Sequence, residues 1–282
     1  MKKSFIFVLT VLFFVVSASF VCAETREAEF AMFKRSISPV YNWGKNGLIT
    51  VPKATTIGKW NFFAGGMAQQ SGEIEGDNLY LTSGSIVVGT SSDVEIGYTR
   101  RQFIWDNFDR TDLEMDTYHF KARVFHMSDG FLPQAAMGIN AVSLKSNDFT
   151  NEEDILFNPF LSVTVQIPFY KDKIVLSATG VMEILYSEGE SSSAFFSAGA
   201  DLALFDTFFL IAEAHGINQD NGDPLFNIGA KVKSGWFSLG VAFYNVAQND
   251  IAEARDGNID SLYFMAYAGV EIPIGDMFRK NK

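Results

Sequence analysis

The chain is short of the residues that commit a protein to most chemistries. A single cysteine among 282 residues excludes a disulfide framework and a cysteine-built metal centre. Three histidines are present, His119, His126 and His215; none forms the three- or four-residue pair of a helical metal site, and no serine stands in a G-x-S-x-G elbow. Lys and Arg total 22 against 33 Asp and Glu, so the net charge of −11 excludes a broad nucleic-acid footprint, which needs a basic face. Beyond the first 23 residues no apolar run is long enough for a membrane helix. The glycines, Gly65, Gly66 and Gly84 among them, read as close packing and curvature in a sheet, since a phosphate cradle needs a helix after its loop. No cofactor is expected.

What is abundant is phenylalanine, 28 residues, beside 23 glycines and 7 prolines, a mixture suited to strands and tight turns. The chain opens with Lys2 and Lys3, an almost wholly apolar stretch over 5–20, and Val21-Cys22-Ala23, the pattern of a cleaved secretory signal over 1–23. An uncleaved anchor is the rival reading. A lipoprotein reading would acylate Cys22, but Phe20 and Val21 are bulkier than such processing favours. Residues 24–58 form a mixed N-terminal segment, periplasmic or plug-like, and 277–282 a short tail.

From residue 59 to 276 apolar side chains recur at every second position. Leu161, Val163, Val165 and Ile167 alternate with Ser162, Thr164 and Gln166; Tyr118, Phe120, Ala122 and Val124 alternate with His119, Lys121 and Arg123. Twelve such segments fall at 59–70, 79–89, 94–105, 115–127, 133–146, 157–169, 174–186, 192–205, 208–217, 224–233, 236–247 and 261–274. Their connections alternate in kind. Longer acidic stretches lie at 71–78, 106–114, 147–156, 187–191, 218–223 and 248–260, and short ones at 90–93, 128–132, 170–173, 206–207 and 234–235. An even strand count with tight turns on one rim and long loops on the other predicts an all-β, antiparallel, up-and-down transmembrane β-barrel in a Gram-negative outer membrane. A soluble sandwich also alternates but has no reason to sort its loops by length. Aromatic residues near the strand ends, including Trp60, Tyr80, Trp105, Tyr118, Phe157, Tyr170, Tyr186, Phe205, Phe208, Trp236, Tyr244 and Tyr263, are placed to meet the headgroup boundary.

With the apolar positions outward, their alternates line a lumen: Glu95, Arg101, His119, Lys121, Arg123, Glu183, Asp201, Lys231, Lys233 and Glu271, with Glu213 and His215 sharing one face. A water-filled passage bordered by His119, Lys121, Arg123, Lys231 and Lys233 would favour anions such as acidic sugars; a lumen packed shut by salt bridges is the alternative. The expected partners are outer-membrane lipids and lipopolysaccharide, with polysaccharide or divalent cations at the acidic loops. An outer-membrane lipid hydrolase using a serine with His215 is the enzymatic alternative to a noncatalytic role.

The stretch Tyr41-Asn42-Trp43-Gly44-Lys45-Asn46-Gly47-Leu48-Ile49-Thr50-Val51-Pro52-Lys53-Ala54, ending at Gly58, resembles the opening of YjbH-type outer-membrane proteins associated with exopolysaccharide and capsule gene clusters, whose barrels begin with a similar G-L-I-x-x-P-x-A element. Val87-Val88-Gly89-Thr90-Ser91-Ser92-Asp93-Val94-Glu95-Ile96-Gly97-Tyr98 looks like that family's strand, turn, strand pattern. The resemblance covers residues 44–100. It implies a noncatalytic role in export, passage or surface retention of polysaccharide. Many such relatives are longer and some are lipoproteins, whereas this chain reads as one small barrel with an ordinary signal; barrels commonly end at a terminal aromatic, and here Phe278 is followed by Arg279-Lys280-Asn281-Lys282.

Overall fold

The computed structural model describes residues 39–74, 77–105, 113–126, 132–146, 154–170, 173–187, 193–217, 225–244 and 263–275. Twelve strands run in chain order: β1 (Asn61–Ile74), β2 (Asp77–Gly89), β3 (Val94–Trp105), β4 (Leu113–His126), β5 (Leu132–Ser146), β6 (Asp154–Phe169), β7 (Ile174–Ser187), β8 (Ser193–Leu204), β9 (Phe208–His215), β10 (Leu225–Ser234), β11 (Phe237–Tyr244) and β12 (Tyr263–Pro273). Each pairs antiparallel with its sequence neighbours, and β1 returns to β12, from Asn61↔Pro273 to Gln69↔Met265, closing the ring. Closure leaves no strand edge with unpaired N–H and C=O groups.

The two-residue period sorts side chains between the faces of this ring. Ile86, Ile96, Phe120, Ile139, Phe157, Ile228, Leu239 and Phe264 point outward and are exposed, while Glu95, Thr99, Thr117, Lys121, Ser162, Asp201 and Lys231 point inward and are buried. Trp60, Phe169, Tyr170, Phe205, Trp236 and Phe237 gather where the short turns lie. Tyr170 and Phe205 take left-handed backbone there, with φ of 46° and 55°.

Two sequence expectations change. Most of the stretch 71–78 is strand: 71–74 and 77–78 lie in β1 and β2, which continue to the Ile74↔Asp77 pair, and the ladder absorbs an extra residue between Gln70 and Gly72. A glycine at a bulge keeps the strand going where composition signalled a turn. Tyr244 does not sit at an outer boundary; it is fully buried on the inner face, its hydroxyl 3.6 Å from Met265 Sδ. The remaining acidic stretches lie mainly outside the described residues, and with them the expected cation and lipopolysaccharide contacts.

The ring is not empty. Residues 40–57 fold inside it as a chain of self-bonded turns: Gly44 N–H donates to Gly47 O at 2.7 Å, Leu48 N–H to Val51 O at 2.8 Å and Lys53 N–H to Asn46 O at 3.2 Å. Gly44 supplies a φ of 76°, and a Cβ there would meet the Phe209 ring on β9, so the residue is glycine for conformation and clearance alike. Val40, Trp43, Leu48, Ile49, Val51 and Ile57 join Phe63, Val181, Phe209, Ile211, Ala242 and Tyr267 of the wall in one apolar cluster. Trp43 stacks on Tyr267 with centroids 4.6 Å apart and planes 14° from parallel, and Phe63 continues the stack at 6.5 Å.

Candidate functional site in the lumen

Residues 40–57 bond to side chains of nine of the described strands, and each contact falls on an inward position. The best-furnished one is Glu213 on β9. Its carboxylate accepts from the backbone N–H groups of Ile49 (2.9 Å), Thr50 (3.0 Å) and Val51 (3.2 Å), from the Thr50 hydroxyl (2.8 Å) and from Asn227 Nδ2 on β10 (2.9 Å). Three successive amides turned toward one carboxylate form an anion nest filled by the protein's own side chain. His215, two residues on, places Nε2 3.1 Å from Glu213 Oε1 and 2.5 Å from Thr50 Oγ1, with Nδ1 3.0 Å from Ser197 Oγ on β8.

Other charged groups on the wall also find partners. Lys53 Nζ lies 2.6 Å from Asp201 Oδ1 on β8, both side chains out of solvent, and donates to Ser177 on β7 at 3.1 Å. Lys121 on β4 pairs with Glu95 on β3 at 2.9 Å and donates to the carbonyls of Asn46 (2.7 Å) and Lys53 (3.1 Å). Glu95 in turn accepts from Asn46 Nδ2 and from Ile57 N–H. Lys231 on β10 donates to Asn42 Oδ1 at 3.0 Å and stands 4.2 Å over the Phe209 ring. Glu271 on β12 accepts from Asn42 Nδ2 at 2.9 Å and pairs with Lys45. Serine and threonine hydroxyls finish the contact: Ser162 on β6 donates to Pro52 O at 2.7 Å, and Ala54 N–H donates to Thr164 at 2.8 Å. Ionised groups inside an enclosure need such partners, because an unpaired one loses its hydration without return.

All twelve residues singled out from the sequence as lumen-facing do face inward, Glu183 and Asp201 among them, but they separate by height. Glu95, Lys121, Lys231, Glu213 and His215 touch or frame residues 40–57. His119 packs its ring against Tyr41, centroids 6.3 Å apart, and over Gly97, where a Cβ would strike the imidazole; its two nitrogens have no hydrogen-bond partner among the described residues. Arg101 is fully buried on β3. Arg123 and Lys233 belong to the short-turn rim. Arg123 Nε and Nη2 clasp Asp93 Oδ1 at 2.8 and 2.6 Å, and Lys233 lies 3.7 Å from Asp206 and 3.6 Å from Glu271. Hydrogen bonds from the Ser92 hydroxyl and the Arg123 guanidinium hold the Asp93 carboxyl below its ordinary pKa.

The basic ladder therefore does not border open water at this level, since Lys121 and Lys231 are spent on residues 40–57. Sequence reasoning missed the other half of the contact: Asn42, Trp43, Lys45, Asn46, Thr50 and Lys53, together with Ser197, Asn227 and Tyr267. The available signal was the turn-rich run Gly44-Lys45-Asn46-Gly47 just before Pro52, with a lysine, Lys53, in otherwise apolar surroundings. Among the described residues no group of three or more His, Cys, Asp and Glu is arranged to hold a metal ion.

By fold this is a closed, all-antiparallel, twelve-stranded β-barrel with an occupied lumen. No family model matches the sequence, and neither does any curated protein. Solved barrels are similar in form. The Acinetobacter baumannii outer membrane protein Omp33 overlays with a TM-score of 0.46 at 7% identity, covering 76% of this chain and 99% of that one. The translocator domain of the Neisseria meningitidis autotransporter NalP gives 0.35 at 12%, covering 76% and 88%. Pseudomonas putida OprB, in its low-pH structure, gives 0.34 at 10%, covering 75% and 91%. These likenesses are of barrel with barrel and bear on no particular activity.

Proposed function

We propose that the protein is an outer-membrane β-barrel whose passage is stopped by its own N-terminal segment, acting as a channel or accessory factor for anionic solutes or polysaccharide. One observation carries this reading: inward side chains of nine strands satisfy residues 40–57, while the opposite face of the same strands presents a wall of exposed Ile, Leu, Val and Phe. Hydrocarbon cannot hydrogen-bond a strand, so an apolar exterior on an edgeless ring suits a bilayer. The resemblance of residues 44–100 to YjbH-type proteins favours exopolysaccharide as the setting. Once residues 40–57 withdraw, Lys121 and Lys231 are released to meet carboxylates of acidic sugars.

The test is conductance in planar bilayers. The intact chain is expected to stay closed, Trp43→Ala to open it by removing the stack on Tyr267, and an Ala54→Cys/Thr164→Cys cross-link to hold it closed until reduced. Steady conductance through the cross-linked protein rejects a lumen stopped by this segment. Recovery of the processed protein from a periplasmic extract without detergent, with one gel mobility whether boiled or not, rejects the membrane reading itself.

A second reading has an observation of its own. Ser197, His215 and Glu213 form a continuous hydrogen-bonded chain, the elements of a hydrolase relay, but Ser197 is buried and the Glu213 carboxylate is engaged by three amides of residues 49–51. Phospholipid or lipid A turnover lost in both Ser197→Ala and His215→Ala would establish this reading; background rates equal to the parent's would reject it.

A further inference from the structure

Three rings lie nearly parallel on one side of the lumen. Trp43 of the occupying segment stacks on Tyr267 of β12, and Tyr267 lies 13° from parallel with Phe63 of β1. Glycines in the wall make room for them. A Cβ at Gly240 would strike the Trp43 ring, one at Gly269 the Tyr267 hydroxyl and the Phe63 ring, and one at Gly65 the Phe63 ring again. Gly84 differs: a Cβ there would meet nothing within 4 Å, which corrects its reading as a close-packing residue. Register sets Lys231, Gly240 and Tyr267 side by side in one inward row and Glu271 beside Phe63. The wall therefore holds a recess one flat ring deep, bordered by an ammonium and a carboxylate.

The residue before Trp43 uses that border. Asn42 Oδ1 accepts from Lys231 Nζ at 3.0 Å, and Asn42 Nδ2 donates to Glu271 Oε2 at 2.9 Å. A group that accepts from an ammonium and donates to a carboxylate at the same time does the work of a hydroxyl. Asn42 and Trp43 together thus present a flat apolar face and a hydroxyl-like edge, the two chemical features of a pyranose ring. The fit fails at one point: the Trp43 indole N–H is buried and has no acceptor among the described residues. A buried donor left unsatisfied costs free energy, so an occupant without one has an advantage over the indole.

We propose that Tyr267, Phe63, Lys231 and Glu271 form a sugar-binding subsite in the lumen wall, and that Asn42 and Trp43 hold it in place of a pyranose ring. The inference rests on the reading above that residues 40–57 withdraw. The sugar lays its C–H face on Tyr267, over the floor that Gly240 leaves bare, and one hydroxyl accepts from Lys231 and donates to Glu271. Lys231 and Lys233 are balanced there by Glu271 and Asp206, the latter two 3.6 and 3.7 Å from Lys233, so the ring and its hydroxyls are read ahead of net charge and neutral and acidic sugars share the same place. A purely aromatic ligand matches the stack but leaves Lys231 and Glu271 without the bridge that Asn42 gives them. Sugar and segment compete for one surface, so each weakens the hold of the other.

The experiment uses the full chain, with maltotriose and trigalacturonate as probes, titration calorimetry in detergent for binding and planar bilayers for conductance. Asn42→Ala with Trp43→Ala is expected to conduct and to bind both trimers at least about tenfold more tightly than the parent, whose subsite is free only in the vacated fraction. Each trimer should block the open variant in proportion to its occupancy. Adding Lys231→Gln should weaken binding about tenfold, one decade in the association constant, and Tyr267→Leu should do the same, whereas Tyr267→Phe keeps the stack and the binding. If Tyr267→Leu does not assemble, Lys231→Gln carries the comparison. A variant that conducts yet binds neither trimer overturns the inference and leaves the stopped lumen standing. Equal affinity in parent and double variant places the sugar elsewhere and overturns it too. Indole competing as tightly as the trimers overturns it in favour of an apolar ligand. A double variant that stays closed and binds nothing overturns both readings.

Discussion

Along β4, four consecutive residues build two different materials. Tyr118 and Phe120 stand outward at 58% and 44% exposure, whereas His119 and Lys121, on the same backbone, are held inward at 5% and 1%. The outer face tolerates little polarity because nothing adjacent is available to satisfy it. The inner face accepts lysines, carboxylates and amides because residues 40–57 bring carbonyls, N–H groups and a matching lysine to each of them. The rule separating the faces is thus the supply of partners, not apolarity as such. Breaking a lumen pair should therefore harm the protein more than deleting the pair altogether.

Asp201→Ala strands the Lys53 ammonium where water does not reach, an expected loss of about 3–5 kcal/mol. Lys53→Met with Asp201→Leu should recover most of it. Thermal unfolding in detergent, read by the shift in gel mobility, measures both, and equal losses in the single and double variants would break the partner rule. On the outer face Phe120→Arg has no rescuing partner and should cost about 2–4 kcal/mol near mid-depth. A neutral result there would mean that water, not hydrocarbon, bathes this wall. Glu213→Gln keeps one acceptor oxygen but turns an N–H₂ toward the three amides of residues 49–51, for an expected loss of about 1–3 kcal/mol with raised conductance. The smallest effect belongs to the rim. Asp93 has a depressed pKa in the folded protein, so its contribution is present above the ordinary carboxyl value and is lost as pH falls through the depressed one. Asp93→Asn should remove that acid-side slope in an unfolding titration at a cost within the roughly 0.2–1 kcal/mol of an exposed pair.

The ring was readable because its physics is periodic. Each of the twelve strands overlaps a segment of alternating polarity, and parity alone assigns Glu95, Lys121, Glu213 and Lys231 to the inside, since a one-residue slip would turn every side chain over. The first hairpin failed where Ser71-Gly72-Glu73 resembles a turn by composition yet remains in the ladder through a bulge. Tyr244 failed because the short β11 ends near a boundary residue whose parity points inward. The occupant of the lumen was not readable as a set of contacts. Asn42 meets Glu271 across 229 residues of sequence and Thr50 meets His215 across 165, and no local period encodes such meetings. What the sequence does hold is the need for them, in a barrel interior with more cations than a dry enclosure can leave unmatched.

The segment in the lumen lodges without joining the wall. Among the described bonds between residues 40–57 and the strands, every one uses a side chain on at least one partner, and none extends a β ladder. The occupant is a tenant and not a thirteenth strand: it can vacate while each rung of the cylinder stays made. Exchange of amide hydrogens should accordingly split into two tiers, with Ile49, Thr50 and Val51 trading with solvent through a shallow local opening long before the ladders do.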